Sequence, residues 1–457
     1  MSESGLRQAQ DKMRAKGVNQ AAIDVFSHYY GELEGGATGL ISEDSIAPLE
    51  DPAKLADTEI SDADGAAALD KTVMIKLNGG LGTSMGMDRA KSLLTVRDGK
   101  TFLDLVVDQV RAARQATGAR LPLLFMNSFR TQDDTLAALS RYDDLAVEGL
   151  PLDFLQNSEP KLRADDLTPV EWPADPSMEW CPPGHGDIYT ALLGSGTLDL
   201  LLEQGFRYAS VSNSDNLGAA PDARIAGWFA QSGAPYAAEL CRRTVNDRKG
   251  GHLAIRRSDG QLILRDTAQT SAEEMHYFTD EHRHPFFHTN NLWWDLEALR
   301  KALTERGAVL GLPLIRNEKT VDPSDSSSPK VIQIETAMGA AIEVFAGATA
   351  ITVGRERFLP VKTTNELLLV RSDVYEVDSA GRVVLQADSA PSIELDSSHF
   401  KKINDFEKHF SNGIPSLRQA TALRVDGDWS FGSDVTVRGK AHLEGSGTVD
   451  DGTTLGN

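Results

Sequence analysis

Cysteine is nearly absent: Cys181 and Cys241 are the only two in 457 residues. Two cysteines make no disulfide scaffold, and these two lack metal-ligand spacing, so a reducing compartment is the natural reading. Positive charge is scarce as well. Lys and Arg number 46 against 67 Asp and Glu, a net charge of −21, which argues against the broad cationic face that nucleic acid or an anionic membrane requires. No uncharged apolar run reaches the ~18 residues of a membrane helix. The start, Met1-Ser-Glu-Ser-Gly5, lacks the basic and apolar blocks of a signal peptide. Together these absences make a cytoplasmic protein the expectation, with no nucleic-acid or membrane partner. The length suits two or three domains.

Glycine is concentrated where it matters. Val73-Met-Ile-Lys-Leu-Asn-Gly-Gly-Leu-Gly-Thr-Ser-Met-Gly86 is an apolar strand that runs into a loop of four glycines, and Lys91-Ser92 follows. Gly79, Gly80, Gly82 and Gly86 remove the Cβ atoms that would hold a phosphate away and permit positive φ, while Lys91 adds a mobile point charge. The segment predicts a nucleotide site, against the alternative of a tight structural turn. It is no Walker A loop, because Met85 and Ala90 stand where glycines are required. Nor is it a dinucleotide fingerprint: Gly80 and Gly82 fit its start, but Met85 holds the third glycine position and Gly86 comes one residue late.

Leu77 to Gly86 closely resembles the signature of nucleotidyltransferases that make nucleoside diphosphate sugars, in particular the eukaryotic-type UTP–glucose-1-phosphate uridylyltransferases. Arg89-Ala90-Lys91-Ser92 departs from that family's Gly-Pro-Lys-Ser by losing the proline. The resemblance implies that Leu77, Asn78, Gly79, Gly80 and Lys91 contact the nucleotide, and that Gly80 also meets the sugar phosphate.

Five further segments carry chemistry. Pro182-Pro-Gly-His-Gly-Asp187 leaves His185 on an open turn between glycines, which argues for close approach of a ligand. Val211-Ser-Asn-Ser-Asp-Asn-Leu-Gly218 ends a strand in a polar cluster. Asp215 there is the candidate for holding Mg²⁺ against the charge of a triphosphate, with an Asx turn as the plainer reading. Phe287-His-Thr-Asn-Asn-Leu-Trp-Trp294 sets two amides beside aromatics, a composition suited to a sugar, unless the aromatics are simply core. Glu335 ends Val331-Ile-Gln-Ile-Glu335. Lys362 precedes a helix start, which works against the macrodipole unless an anion lies there. Each segment matches the family in order, as does Gln156 with Pro160. The resemblance implies Gln156, Gly184, Asp215 and Lys362 for the nucleotide, and His185, Asn213, Asn290 or Asn291, and Glu335 for the sugar phosphate. Lys362 and Lys91 are then the catalytic cations and Asp215 the metal ligand. A metal reading of His282, His284 and His288 is weak, because Pro285 interrupts the run and only His284 and His288 have helical i, i+4 spacing. Further departures from the family lie at Asp247–His252 and Asp322–Ser328.

From Lys71 to about Asp373, apolar strand-like runs at Val73–Leu77, Pro122–Met126 and Tyr208–Ser212 alternate with helical stretches near Phe102–Thr117 and Thr131–Ser140, which signals α/β architecture with a largely parallel sheet. Residues 1–70 read as a helical segment with an apolar stripe of Leu6, Met13, Val18, Ile23, Val25 and Phe26, then a linker from Gly31 to Asp70 with one short helix that packs on the main body. Residues 374–457 carry one polar helix within Asp396–Leu417, then short strands at near-hexapeptide spacing. The resemblance implies a GT-A-like, Rossmann-like mixed sheet in 71–373 and a left-handed β-helix at the C-terminus. The implied reaction joins UTP and glucose 1-phosphate into UDP-glucose and pyrophosphate with Mg²⁺ as cofactor. A UDP-N-acetylhexosamine or broad UDP-sugar pyrophosphorylase is the rival, and the chain is either a monomer or a homo-oligomer joined through its C-terminal domain.

Overall fold

The computed structural model describes residues 2–244, 247, 250–323 and 325–457. Arg248 and Lys249, within the Asp247–His252 departure, lie outside the described residues, as does Ser324 of the acidic segment.

A large mixed sheet organises the chain. Strand Thr72–Asn78 pairs in parallel with Leu123–Asn127 on one side and Tyr208–Asn213 on the other. Asp153–Leu155 extends the sheet in parallel beyond Leu123–Asn127. Past Tyr208–Asn213 comes one reversed strand, Phe286–Asp295, followed by Tyr236–Arg242 and Thr349–Thr352. Alternation along Thr72–Asn78 sends Met74 into one apolar core and Val73 and Ile75 into the other. Both faces are covered, as a parallel sheet requires.

The covering elements follow from local signals. Helix Phe102–Thr117 begins at a capping box between Thr101 and Asp104 and stops at Gly118, whose φ is 71°. Its Phe102, Leu103, Val106, Val107 and Val110 are buried. On the opposite face, helices Ser2–Ala15 and Gln20–Glu34 bury Met13, Ile23, Phe26 and Tyr30, with Asn19 capping the second helix through its side chain. Val18 and Val25 are only partly buried.

The stretch after Gly31 is more than a linker with one helix. Helix Asp62–Asp70 is present, but Ile46–Pro48 and Ala53–Lys54 also add strands to the main sheet. Glu43, 3 % exposed, anchors this stretch by accepting from Arg265 at 2.5 Å and from Arg283. Runs of two or three residues carry no periodicity, so the sequence gives no sign of these strands.

C-terminal to Val374, Asp396–Leu417 holds two short helices, Ser397–Phe400 and Ile403–His409, rather than one. Strands Ser392–Leu395, Ser416–Phe431, Thr436–Val449 and Thr454–Gly456 then form an all-parallel sheet. Its Val425, Phe431 and Val437 belong to the same apolar core as Val361, Leu367 and Val374.

Candidate active site

The carboxyl ends of the parallel strands share one level, because Leu77 is in register with Met126 and Asn213, and Asn78 with Asn127. Loops leaving those ends meet over the sheet edge, the usual place for a ligand in an open α/β sheet. Strand Phe286–Asp295 runs the other way and reaches this level through its middle. Leu292 pairs with Val211, so Asn290 lies beside Asn213 and donates from Nδ2 to Asn213 Oδ1 at 3.2 Å.

The glycine loop opens the site. Gly82 and Gly86 have φ of 55° and 77°, as expected, whereas Gly79 and Gly80 do not lie in the left-handed region. Gly79 is required by proximity instead: a Cβ there would come within 2.9 Å of Gln156 Oε1. A Cβ on Gly80 would meet no protein atom within 4 Å. Lys91 N donates to Gly80 O at 3.0 Å and closes the loop. Leu77 gives its carbonyl to Ser214 N. The Asn78 amide turns inward, donating to Asn127 Oδ1 and Thr135 Oγ1 at 2.8 and 2.9 Å, so only its backbone borders the loop.

Lys91, Asp215 and the segment that carries Lys362 come together. Lys91 Nζ is 2.6 Å from Asp215 Oδ2 and 2.6 Å from the carbonyl oxygen of Val361. Val361 N donates to Asp215 O at 3.2 Å. Lys362 itself is exposed, and its charge is felt by the partly buried Asp266 carboxylate and by His185. The next helix, Thr364–Arg371, opens with a capping box of Thr363 and Glu366. Two backbone donors at its start, Thr363 N and Asn365 N, are thus satisfied locally.

Gln156, Gly184, His185 and Glu335 form a second group. Gln156 Nε2 donates to Gly184 O at 2.7 Å. Gly184 has φ of 75°, and a Cβ there would stand 2.6 Å from Thr336 O and 3.0 Å from Glu335 Cβ. Glu335 Oε1 accepts from Asn317 Nδ2 at 2.8 Å. Met338 N donates to His185 Nδ1 at 3.0 Å, which leaves the proton of a neutral ring on Nε2. Burial, followed by the charge of Lys362, lowers the His185 pKa to about 4. His185 is therefore a neutral donor at pH 7.

Of the two adjacent amides, Asn290 borders the site and Asn291 does not. Asn291 is 3 % exposed and donates to Glu239 Oε2 and Arg357 O. The three histidines do not converge as a metal centre. His284 Nε2 sits on Glu43, and His288 Nδ1 accepts from Asn290 N.

Several residues here escaped the sequence reading. Lys76, fully buried, donates to Ser212 Oγ and Ala219 O at 2.8 Å and braces both ends of the Asp215 loop. Asp187 accepts from Asn157 N at 2.7 Å and Asn157 Nδ2 at 2.9 Å, tying the Gln156 strand end to the His185 turn. Glu239 and Arg357 pair beneath the site. A charge inside the apolar run Tyr236-Ala-Ala-Glu-Leu-Cys241 was the available sign, since such groups are buried only when paired.

The family model described as UTP–glucose-1-phosphate uridylyltransferase matches residues 23–438. A UTP–glucose-1-phosphate uridylyltransferase of Solanum tuberosum is 40% identical over 428 residues, covering 92% of this chain and 85% of that protein. That of Saccharomyces cerevisiae is 37% identical over 438 residues, covering 94% and 85%. Among solved structures, a mutant UDP-glucose pyrophosphorylase of Leishmania major in complex with UDP-glucose superposes with a TM-score of 0.93 at 43% identity, covering 99% of this chain and 98% of that one. The Trypanosoma brucei structure gives 0.89 at 42% identity, covering 99% of each. This chain belongs to the UTP–glucose-1-phosphate uridylyltransferase family.

Proposed function

We propose that this chain transfers the uridylyl group of UTP to glucose 1-phosphate, reversibly, forming UDP-glucose and pyrophosphate. The observation that carries the proposal is the meeting of Lys91, Asp215 and the Lys362 segment at one point of a family fold. An oxygen of the sugar phosphate attacks the α-phosphorus in line with departing pyrophosphate. It is already ionised, so the protein supplies no nucleophile and catalysis is positioning with charge stabilisation.

Each group then has a role. Lys91 neutralises the β- and γ-phosphates, and Lys362 the α-phosphate and the attacking oxygen. His185 Nε2–H donates to the sugar phosphate. The Asn213–Asn290 amide pair and Glu335 take sugar hydroxyls, and Gln156 offers donor and acceptor to the uracil edge. Gly80 lets backbone press on phosphate. Asn291 and the side chain of Asn78 face the interior and support these groups from behind.

Asp215 suits Mg²⁺: a single carboxylate at a strand end, with substrate oxygens and water to complete the shell, is how that ion is commonly held. Bound there, Mg²⁺ would offset charge spread over the phosphates.

At the C-terminus we propose coils of a left-handed β-helix. Leu423 pairs with Ala441, Val425 with Leu443 and Val437 with Leu455, a step of 18 positions that holds from Ala422 onward and widens to 20 where Ser416 meets Thr436. Strand Ser416–Phe431 would span roughly 50 Å if straight, yet residues 432–435 return the chain to its start, so the strand has to wind. Light scattering decides between a monomer and a homo-oligomer built through this region. A cytoplasmic location accords with Cys181 and Cys241, both free and buried, and no helix among the described residues is long and apolar enough to cross a membrane.

Pyrophosphate release measured with UTP, Mg²⁺ and a panel of sugar 1-phosphates tests the reaction. Glucose 1-phosphate should give the highest kcat/KM. Preference for an N-acetylhexosamine 1-phosphate would favour the rival, and no release would refute the reaction.

A further inference from the structure

Between Asp215 and Lys362 lies a polar knot of Asn216, Asn291, Glu239 and Arg357, all of them buried. Asn216, 1 % exposed, is its hub. Its Nδ2 donates to Asn291 Oδ1 at 3.1 Å and to Arg357 O at 3.2 Å, while its Oδ1 accepts from Leu359 N at 2.8 Å and Gly218 N at 3.2 Å. That is the full capacity of an amide side chain. The backbone of Asn216 also bridges Pro360. Arg357 completes the knot, with Nε and Nη2 on Glu239 at 3.0 and 2.7 Å and Nη1 on Ala220 O at 2.5 Å. Glu239 is fully buried and is held further by Trp293 Nε1 at 2.9 Å.

The consequence is a backbone pinned at every second residue. Arg357 through its carbonyl, Leu359 through its N–H and Val361 through both groups are fixed to Asn216, Asp215 and Lys91. Lys362 leaves the last of these anchor points toward solvent. A flexible four-carbon stem gains precision only from where its Cα is held.

We propose that Asn216 and the Arg357–Glu239 pair are positioning residues that hold Lys362 against the phosphate faced by Asp215, a role resting on the uridylyl-transfer reading. A fully buried ion pair is a poor device for stability, since well-packed apolar residues of similar volume serve as well or better. Here its geometry fixes the path of the Lys362 backbone, and a displacement near 1 Å at the reacting groups lowers rate by about 100-fold.

The test uses Asn216→Ala and, as a second and independent variant, the paired Glu239→Leu/Arg357→Met, which removes both buried charges together so that neither is left unpaired. Melting temperature, UTP affinity by calorimetry, and kcat are measured for each, alone and combined with Lys362→Ala under single-turnover conditions. The expected result is a loss in kcat of about 30-fold or more with UTP affinity within about threefold of the parent, and little further loss in the Lys362→Ala background. Unchanged kcat in a folded variant, kcat and affinity falling together, or equal losses in both backgrounds would overturn the positioning role. Absence of pyrophosphate release from the unaltered chain would instead remove the reaction on which the role rests.

Discussion

Lys91 Nζ lies 2.6 Å from Asp215 Oδ2, an ion pair between residues 124 positions apart that joins the glycine loop to the strand end proposed to hold metal. Without nucleotide, a divalent ion has to displace this ammonium; with nucleotide, phosphate gives Lys91 another partner. Lys91→Gln should therefore raise the affinity of the free protein for Mn²⁺ by about tenfold, in line with one charge-assisted hydrogen bond, while weakening UTP binding. Electron paramagnetic resonance titration of Mn²⁺ reads the first and calorimetry the second. Unchanged Mn²⁺ affinity would mean the ammonium does not compete for the carboxylate.

Gly80 and Gly184 separate folding from binding. An alanine Cβ at Gly80 meets open space, whereas at Gly184 it meets Thr336 backbone at 2.6 and 2.8 Å with φ at 75°. Gly184→Ala should cost about 1–3 kcal/mol of stability from backbone strain alone. Gly80→Ala should melt like the parent yet bind UTP more weakly, because only phosphate would feel the added methyl. Normal UTP affinity in a folded Gly80→Ala protein would place the phosphates elsewhere.

His185 and Asp187 give opposite pH signatures two residues apart. The His185 pKa falls from 6.5 to about 4 in the folded chain, so between those values the unfolded chain binds a proton that the folded one lacks. Stability from this group is complete above pH 6.5 and is lost as pH falls toward 4, about 2 kcal/mol of it by pH 5. Burial, only partly offset by the Asn157 hydrogen bonds, raises the Asp187 pKa from 3.8 to about 7, so its contribution declines as pH rises through that range. Urea unfolding should show the advantage of wild type over His185→Gln shrinking from pH 7.5 to 5. Asp187→Asn should gain on wild type from pH 4 to 7. A constant difference for either variant contradicts the burial argument.

Ala90 replaces the proline of the family motif, yet its φ of −51° is within reach of proline. Among the described residues, no backbone hydrogen bond from its N–H would be lost. Ala90→Pro should stabilise the chain by about 0.4–1 kcal/mol through the unfolded state and lower KM for UTP by stiffening the loop. A lower melting temperature would show that the buried pocket around Ala90 rejects the ring.

How much was legible in the sequence varied with the range of the interaction responsible. Helix Phe102–Thr117 and strand Tyr208–Asn213 carry their own periodicity and caps, and the structure has both where the pattern places them. Asn290 and Asn291 could not be told apart, because the φ of 63° at Asn290 is invisible in composition, and it is Asn291 that the core absorbs. Glu239 and Arg357, 118 positions apart, meet only once the sheet is assembled. The strands at Ile46–Pro48 and Ala53–Lys54 are too short to announce themselves and exist because a sheet edge is there to receive them.

The account stands on Lys362 acting at the α-phosphate in the transition state rather than in binding UTP. Pyrophosphate release and calorimetric UTP affinity, measured side by side for Lys362→Ala, test this most directly. Steady-state turnover should vanish, leaving only the slow residual reaction that single-turnover conditions resolve, while UTP affinity stays within about threefold of wild type. Turnover near the wild-type rate, or loss of UTP binding in parallel with activity, would contradict it.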